Sequence, residues 1–185
     1  MKEMHGEHID AYSRQFIIES LYDGTHQVIS MTGLLNEDVN LGDLVTHMTD
    51  LNRNNIRFQI NLKGVTQVNS CGAREWLLFV EAVRGRMNIE LIELSPEFLD
   101  QINMMPSFLG KNELKIKSFY LPYYLRDDNS TKQILMKTDQ IDIDQICANP
   151  LGPLGTLKEK GNWEPDFDVD EYFYSLRENL KENES

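Results

Sequence analysis

Two cysteines, Cys71 and Cys147, are all that this 185-residue chain holds, too few for a disulfide framework and read as reduced thiols in a cytoplasm. No apolar run approaches the ~20 residues that cross a bilayer. The opening stretch Met1–Asp10 is polar and partly acidic, unlike a secretory signal. Basic residues are scarce as well: 18 Lys and Arg face 30 Asp and Glu, a net charge of −12 and an isoelectric point near 4.7. That excludes a nucleic-acid binder, whose affinity rests on clustered cations. The four histidines, His5, His8, His26 and His47, form no H-x-x-x-H pair, and His5 with His8 offers only a weak two-ligand site. Glycine-rich phosphate loops of the G-x-x-x-x-G-K-[ST] or G-x-G-x-x-G type are missing, as is the G-x-S-x-G elbow of a serine hydrolase. Asp166, Asp168 and Asp170 start like a calcium loop, but its sixth position is Glu171 and its twelfth Arg177, where Gly and Glu are needed. Asn129-Ser130-Thr131 is a glycosylation sequon without meaning in a cytoplasmic chain. The chain therefore reads as a non-enzyme, without cofactor or metal.

What is present suffices for a core, since 41% of residues are hydrophobic. Residues 1–11 read as a flexible leader. Phe16-Ile17-Ile18 and Val28-Ile29-Ser30-Met31 flank Asp23-Gly24, a hairpin signal. Leu41, Leu44, Val45, Met48 and Leu51 recur at helical spacing behind Asn40, a suitable cap. Ile56, Phe58, Ile60 and Leu62 alternate with polar residues as a half-buried strand does, and Lys63-Gly64 is expected to end it. Ala73, Trp76, Leu77, Val80 and Val83 form the apolar face of a second helix. A strand follows over 88–94, then the helix start Ser95-Pro96-Glu97: hydroxyl cap, proline in the first turn, and an acid beside it. Strands alternating with helices predict an α/β sheet. Beyond it, 116–125 and 133–136 read as two strands around the turn Arg126–Asn129. Asp142 and Asp144, alternating with Ile141, Ile143 and Ile146, read as a solvated edge. Asn149–Gly155 reads as a loop, and 169–180 as a closing helix burying Tyr172, Phe173, Leu176 and Leu180. The stretch 158–185 carries 9 acidic and 4 basic residues, so it holds much of the excess negative charge as a solvated tail.

The segment FQINLKGVTQVNSCGAREWLLFVEAV, residues 58–83, places a strand, a short polar loop ending in glycine, and a helix in succession. It resembles the STAS domain of anti-sigma-factor antagonists and anion transporters, in which an Asp-Ser-Ser-Gly loop precedes this helix. The matching residues are Asn69, Ser70, Cys71 and Gly72, and the element order agrees over 12–118. The resemblance implies a mixed sheet with helices packed on one face. It further implies that an ATP-binding kinase phosphorylates the loop and thereby toggles binding to an anti-sigma factor. A phosphoryl group adds about −1.5 to −2 charges at a helix N-terminus, where backbone N–H groups favour anions. In this chain Cys71 stands at the phosphorylated serine and Asn69 at the acid, so the phosphoswitch reads as degenerate. Ser70 remains the possible phosphorylation site. The other readings are that Ser70 caps the helix while Cys71 packs half-buried, or that Cys71 is redox-active.

Residues 119–185 form an extension that resembles a zinc ribbon without its ligands. Its knuckles would fall at Leu125 and Asp128 and at Cys147 and Pro150, where Cys147 alone is a thiol. No bound zinc is expected, and packing of Phe119, Tyr120, Tyr123, Tyr124, Ile134, Leu135 and Trp163 would replace it. The functional expectation is a bacterial regulatory protein that binds another protein, an anti-sigma factor or an ATP-binding kinase-like regulator. The binding surface expected from the resemblance comprises Val68, Asn69, Ser70, Cys71, Gly72 and Ala73 with Gly33 and Leu34. Two rivals stand beside it: a constitutive scaffold or assembly component, and a sensor holding a nucleotide or lipid on the sheet's apolar face.

Overall fold

The computed structural model describes residues 16–52, 56–111, 113–155 and 161–183; the expected leader 1–11 lies outside them. The chain enters as strand β1 (Ile17–Tyr22) and returns antiparallel as β2 (His26–Leu35). Asp23 holds the turn, its Oδ1 accepting from the amides of Thr25 and His26 at 2.8 and 2.7 Å. Those bonds to the charged form hold the carboxyl down at about 2. Helix α1 (Gly42–Asn52), β3 (Arg57–Val68), α2 (Ser70–Val83), β4 (Ile89–Ile92), α3 (Pro96–Met104) and β5 (Lys115–Ile116) follow, with a 3-10 turn at Pro106–Leu109. The result is a mixed five-stranded sheet in spatial order β1-β2-β3-β4-β5, parallel from β2 onward. One face carries Ile29, Met31, Phe58, Ile60, Leu62, Ile89 and Leu91 into the core with Leu44, Trp76, Phe79, Phe98 and Leu99 of the helices. The other face is polar: Gln59 donates to Glu90 at 2.9 Å, and Lys117 lies 3.6 Å from the same carboxylate.

β3 does not stop at Lys63-Gly64. It runs to Val68 because β2 shifts register between Ser30 and Thr32, which keeps the two strands paired past the glycine. The buried set changes there from Phe58, Ile60 and Leu62 to Val65 and Val68, so strict alternation breaks while the ladder continues. The single strand expected over 116–125 is divided. β5 stays beside β4, and after Lys117 the chain continues as β6 (Ser118–Leu125), which pairs with β7 (Ser130–Lys137) and β8 (Trp163–Pro165) in a second, antiparallel sheet ordered β7-β6-β8. A parallel bridge between Leu94 and Phe119 joins the two sheets.

The segment read as a solvated edge is α4 (Ile143–Ala148): Asp142 Oδ1 caps it through the amides of Asp144 and Gln145 at 2.9 and 3.2 Å. Within the expected loop, Gly152–Gly155 makes the single turn α5, seated by buried Leu154. The closing helix is two pieces, α6 (Val169–Tyr172) and α7 (Tyr174–Asn183), with Asp168 capping α6. Tyr172, Phe173 and Leu176 are buried as their spacing predicts. The chain leaves the first sheet after Ile116 and enters β6 at Ser118, and one core spans the residues on both sides of that step. From α7, fully buried Asn179 donates to the Leu114 carbonyl at 3.0 Å and accepts from the Ile116 amide at 3.1 Å, so the C-terminal helix closes the edge at β5.

Candidate functional site

The two segments expected to form a binding surface, far apart in sequence, meet at the carboxyl ends of β2 and β3. Gly33, Leu34 and Leu35 pair with Val65, Gln67 and Val68, and the Asn69 amide donates to the Leu35 carbonyl at 3.0 Å. Gly33 sits at a second register shift with φ +110°, which a side chain would resist. Gly72 lies so close to the end of β2 that a Cβ on it would fall 2.0 Å from the Leu35 carbonyl oxygen. This contact is why the loop needs its glycine: the first turn of α2 is pressed against the backbone of β2. Val68 and Ala73 are buried beneath the loop, whereas Ser70 and Cys71 are exposed on top.

The cap of α2 is Asn69, not Ser70. Asn69 is extended, and its Oδ1 accepts from the Gly72 amide at 2.8 Å. Its Nδ2 donates to Glu37 Oε2 at 2.8 Å, and that bond lowers the Glu37 carboxyl below its usual range. The helix terminus therefore already has an acceptor on one of its free N–H groups and an ionised carboxylate one side chain away. Ser70 is released to present its hydroxyl to solvent. Cys71 is exposed too, not half-buried. Glu37 is the residue that sequence reasoning missed, since its partner lies 32 positions away and no local pattern links them.

At the ribbon-like positions backbone and side-chain groups are otherwise engaged. Leu125 pairs with Ser130 and Trp163 across the second sheet, and Asp128 Oδ1 accepts from the Ser130 amide at 2.9 Å. The Pro150 carbonyl accepts from Tyr123 Oη at 2.8 Å. Cys147 faces Arg177, whose Nη2 reaches Sγ at 3.1 Å and Asp144 at 3.0 Å. Burial pushes the thiol up despite that cation, which keeps it protonated. Among the described residues, no group of three or more His, Cys, Asp and Glu side chains could hold a metal ion, and no helix is long and apolar enough to cross a membrane.

A further polar cluster ties the sheets together: Tyr120 Oη donates to Glu93 at 2.8 Å, and Lys63 lies 3.8 Å from that carboxylate and 5.3 Å from the Tyr120 ring centroid. Glu93 takes φ +50° to reach it. These groups satisfy one another. The sheet's apolar face, where a ligand-sensing protein would hold its ligand, is filled by helices, with Ile60, Leu62 and Leu91 fully buried. No family model and no curated protein matches this chain.

Proposed function

We propose that the chain is a non-catalytic regulatory module of the STAS type that works in a bacterial cytoplasm by binding another protein through the turn between β3 and α2. The observation that carries this reading is the union of that turn with the end of β2. It makes a firm ledge that exposes Ser70 and Cys71 while Val68, Gly72 and Ala73 anchor it from below. A ledge braced by backbone contacts loses little entropy when a partner docks on it. The element order, a hairpin followed by alternating helices and parallel strands, supports the same reading. The partner it implies is an anti-sigma factor or an ATP-binding kinase-like regulator.

A second reading, a constitutive scaffold or assembly component, is favoured by the Glu37–Asn69–Gly72 chain of hydrogen bonds. A phosphate on Ser70 would meet a helix terminus partly capped already, beside a carboxylate that repels it. The terminus that would reward phosphorylation is thus occupied by neutral and anionic side chains.

The test is affinity capture from native lysate with wild type, Ser70→Asp and Cys71→Arg, read by mass spectrometry. Capture of an anti-sigma factor or kinase-like ATPase by wild type, lost with both variants, is the result expected of partner switching. The same non-kinase assembly proteins with wild type and Ser70→Asp, lost only with Cys71→Arg, moves the assignment to the scaffold. Capture that Cys71→Arg leaves intact removes this ledge as the binding surface.

A further inference from the structure

The outer side of α3 meets the C-terminal segment along a groove of ≈ 380 Å³ floored by Pro96, Pro122, Phe167 and Tyr172. It adjoins a second depression of ≈ 380 Å³ that shares Asn103, Met104 and Glu171 with it and ends at Tyr174. Two large side chains stand out of this floor into solvent: Met104 is 70% exposed and Tyr174 61%. Adjacent exposed apolar groups beside a groove mark interaction surfaces more often than chance scatter does. Methionine and tyrosine are also the side chains that adapt to a partner or anchor it at low entropic cost.

The floor is rigid. Asn103 Nδ2 donates to the Tyr172 carbonyl at 3.0 Å, its Oδ1 accepts from the Ser175 amide at 3.1 Å, and Ser175 Oγ donates to the Ile102 carbonyl at 3.2 Å. The rim carries charge of one sign. Asp100, Asp166, Asp168, Asp170 and Glu171 line the two depressions, no Lys, Arg or His does, and Glu97 adds to the field. Among the described residues none of these six acids belongs to an ion pair. Partial burial, then Glu97 and Glu171, hold the Asp100 carboxyl above its usual range, as expected where negative charge lacks a counter-charge.

We infer that this groove docks a basic segment of another protein, one that places an apolar side chain on Met104 and Tyr174 and flanking Lys or Arg residues on the carboxylates of Asp100, Asp170 and Glu171. Charge complementarity selects this occupant. Phosphate-bearing partners are repelled by the rim, while a cationic peptide is steered toward it. The apolar floor supplies the affinity that exposed ion pairs alone do not. The surface uses different elements from the Ser70–Cys71 ledge, so the inference stands apart from the function proposed above.

The test selects a random-peptide phage library against the full chain, then measures binding of the enriched peptides by fluorescence anisotropy. Enriched sequences are expected to carry an apolar residue between Lys or Arg. Their affinity is expected to fall roughly ten-fold or more in Asp100→Asn/Glu171→Gln and in Met104→Ser/Tyr174→Ser. It is expected to stay within about two-fold in Glu19→Gln/Asp139→Asn, which removes the same charge elsewhere, and in Cys71→Arg. Thermal melts establish that each variant is folded. No enrichment of basic sequences, an equal loss in the control charge pair, or full binding by Met104→Ser/Tyr174→Ser would each overturn the inference.

Discussion

At the scale of single residues, Gly72 is the position on which the ledge depends. A Cβ there would lie 2.0 Å from the Leu35 carbonyl oxygen and 2.3 Å from its carbon, both backbone atoms that cannot rotate away. Gly72→Ala is therefore expected to cost about 2 kcal/mol or more and to loosen the ledge itself. Gly155→Ala, with nothing within 4 Å of the new methyl, is expected to shift stability by no more than about 1 kcal/mol. Urea midpoints of the two variants against wild type decide it. Asp100 makes a prediction of opposite sign. Its carboxyl titrates above the usual range in the folded chain, chiefly through partial burial and then through Glu97 and Glu171. The native state thus holds this proton more tightly than the unfolded chain does. Its contribution favours folding at acid pH and erodes as pH rises through the unfolded and then the folded pKa. Asp100→Asn is accordingly expected to raise the melting temperature at neutral pH. The gain should fade as pH falls below the ordinary carboxylate range, and melts recorded across that window would show no such convergence if burial and the neighbouring acids did not hold Asp100 above its usual range.

At the scale of elements, the two helix entries differ in how much hangs on the cap. Ser95 is 2% exposed; its Oγ donates to the Val65 carbonyl at 2.7 Å and accepts from the Phe98 amide at 3.2 Å. Ser95→Ala removes the cap of α3 and a buried hydrogen bond to a carbonyl of β3, so about 2–3 kcal/mol should be lost. Asn69→Ala removes a half-buried cap that water can partly replace, and about 1 kcal/mol is expected. Chemical denaturation of both variants tests the ranking, and equal losses would mean that the Ser95–Val65 bond adds nothing. Ser95-Pro96-Glu97 was legible because everything that makes it a helix start lies within three residues. The start of α2 was not. Asn69 and Ser70 are both good caps, and which of them serves depends on where β3 ends, which in turn depends on the register shift in β2. The same tertiary cause hid the continuation of β3 beyond Gly64. α4 was misread because its apolar residues satisfy an alternating pattern as readily as a short helical one.

At the scale of the molecule, the two sheets share one core although they are different kinds of sheet. Trp76 reports the first: it is fully buried, bonded to the Phe108 carbonyl at 3.0 Å and packed edge-on to Phe98. Trp163 reports the second, on β8. In the Trp163→Phe and Trp76→Phe variants, each with a single tryptophan, fluorescence and far-UV circular dichroism are expected to share one denaturation midpoint. Separate midpoints would mean that residues 119–185 fold apart from the sheet that Asn179 closes. The sequence by itself determined the α/β class, the opening hairpin, the apolar faces of α1 and α2 and of the closing helical segment, the start of α3, and the glycine at the loop, because periodicity and turn chemistry are local properties. Only the tertiary structure decided where β3 stops, that Glu37 reaches Asn69, that the strand over 116–125 is shared between two sheets, and that acids from α3 and the C-terminal segment line one groove. Those outcomes depend on contacts between residues distant in the chain, and such contacts leave no periodic signal in it.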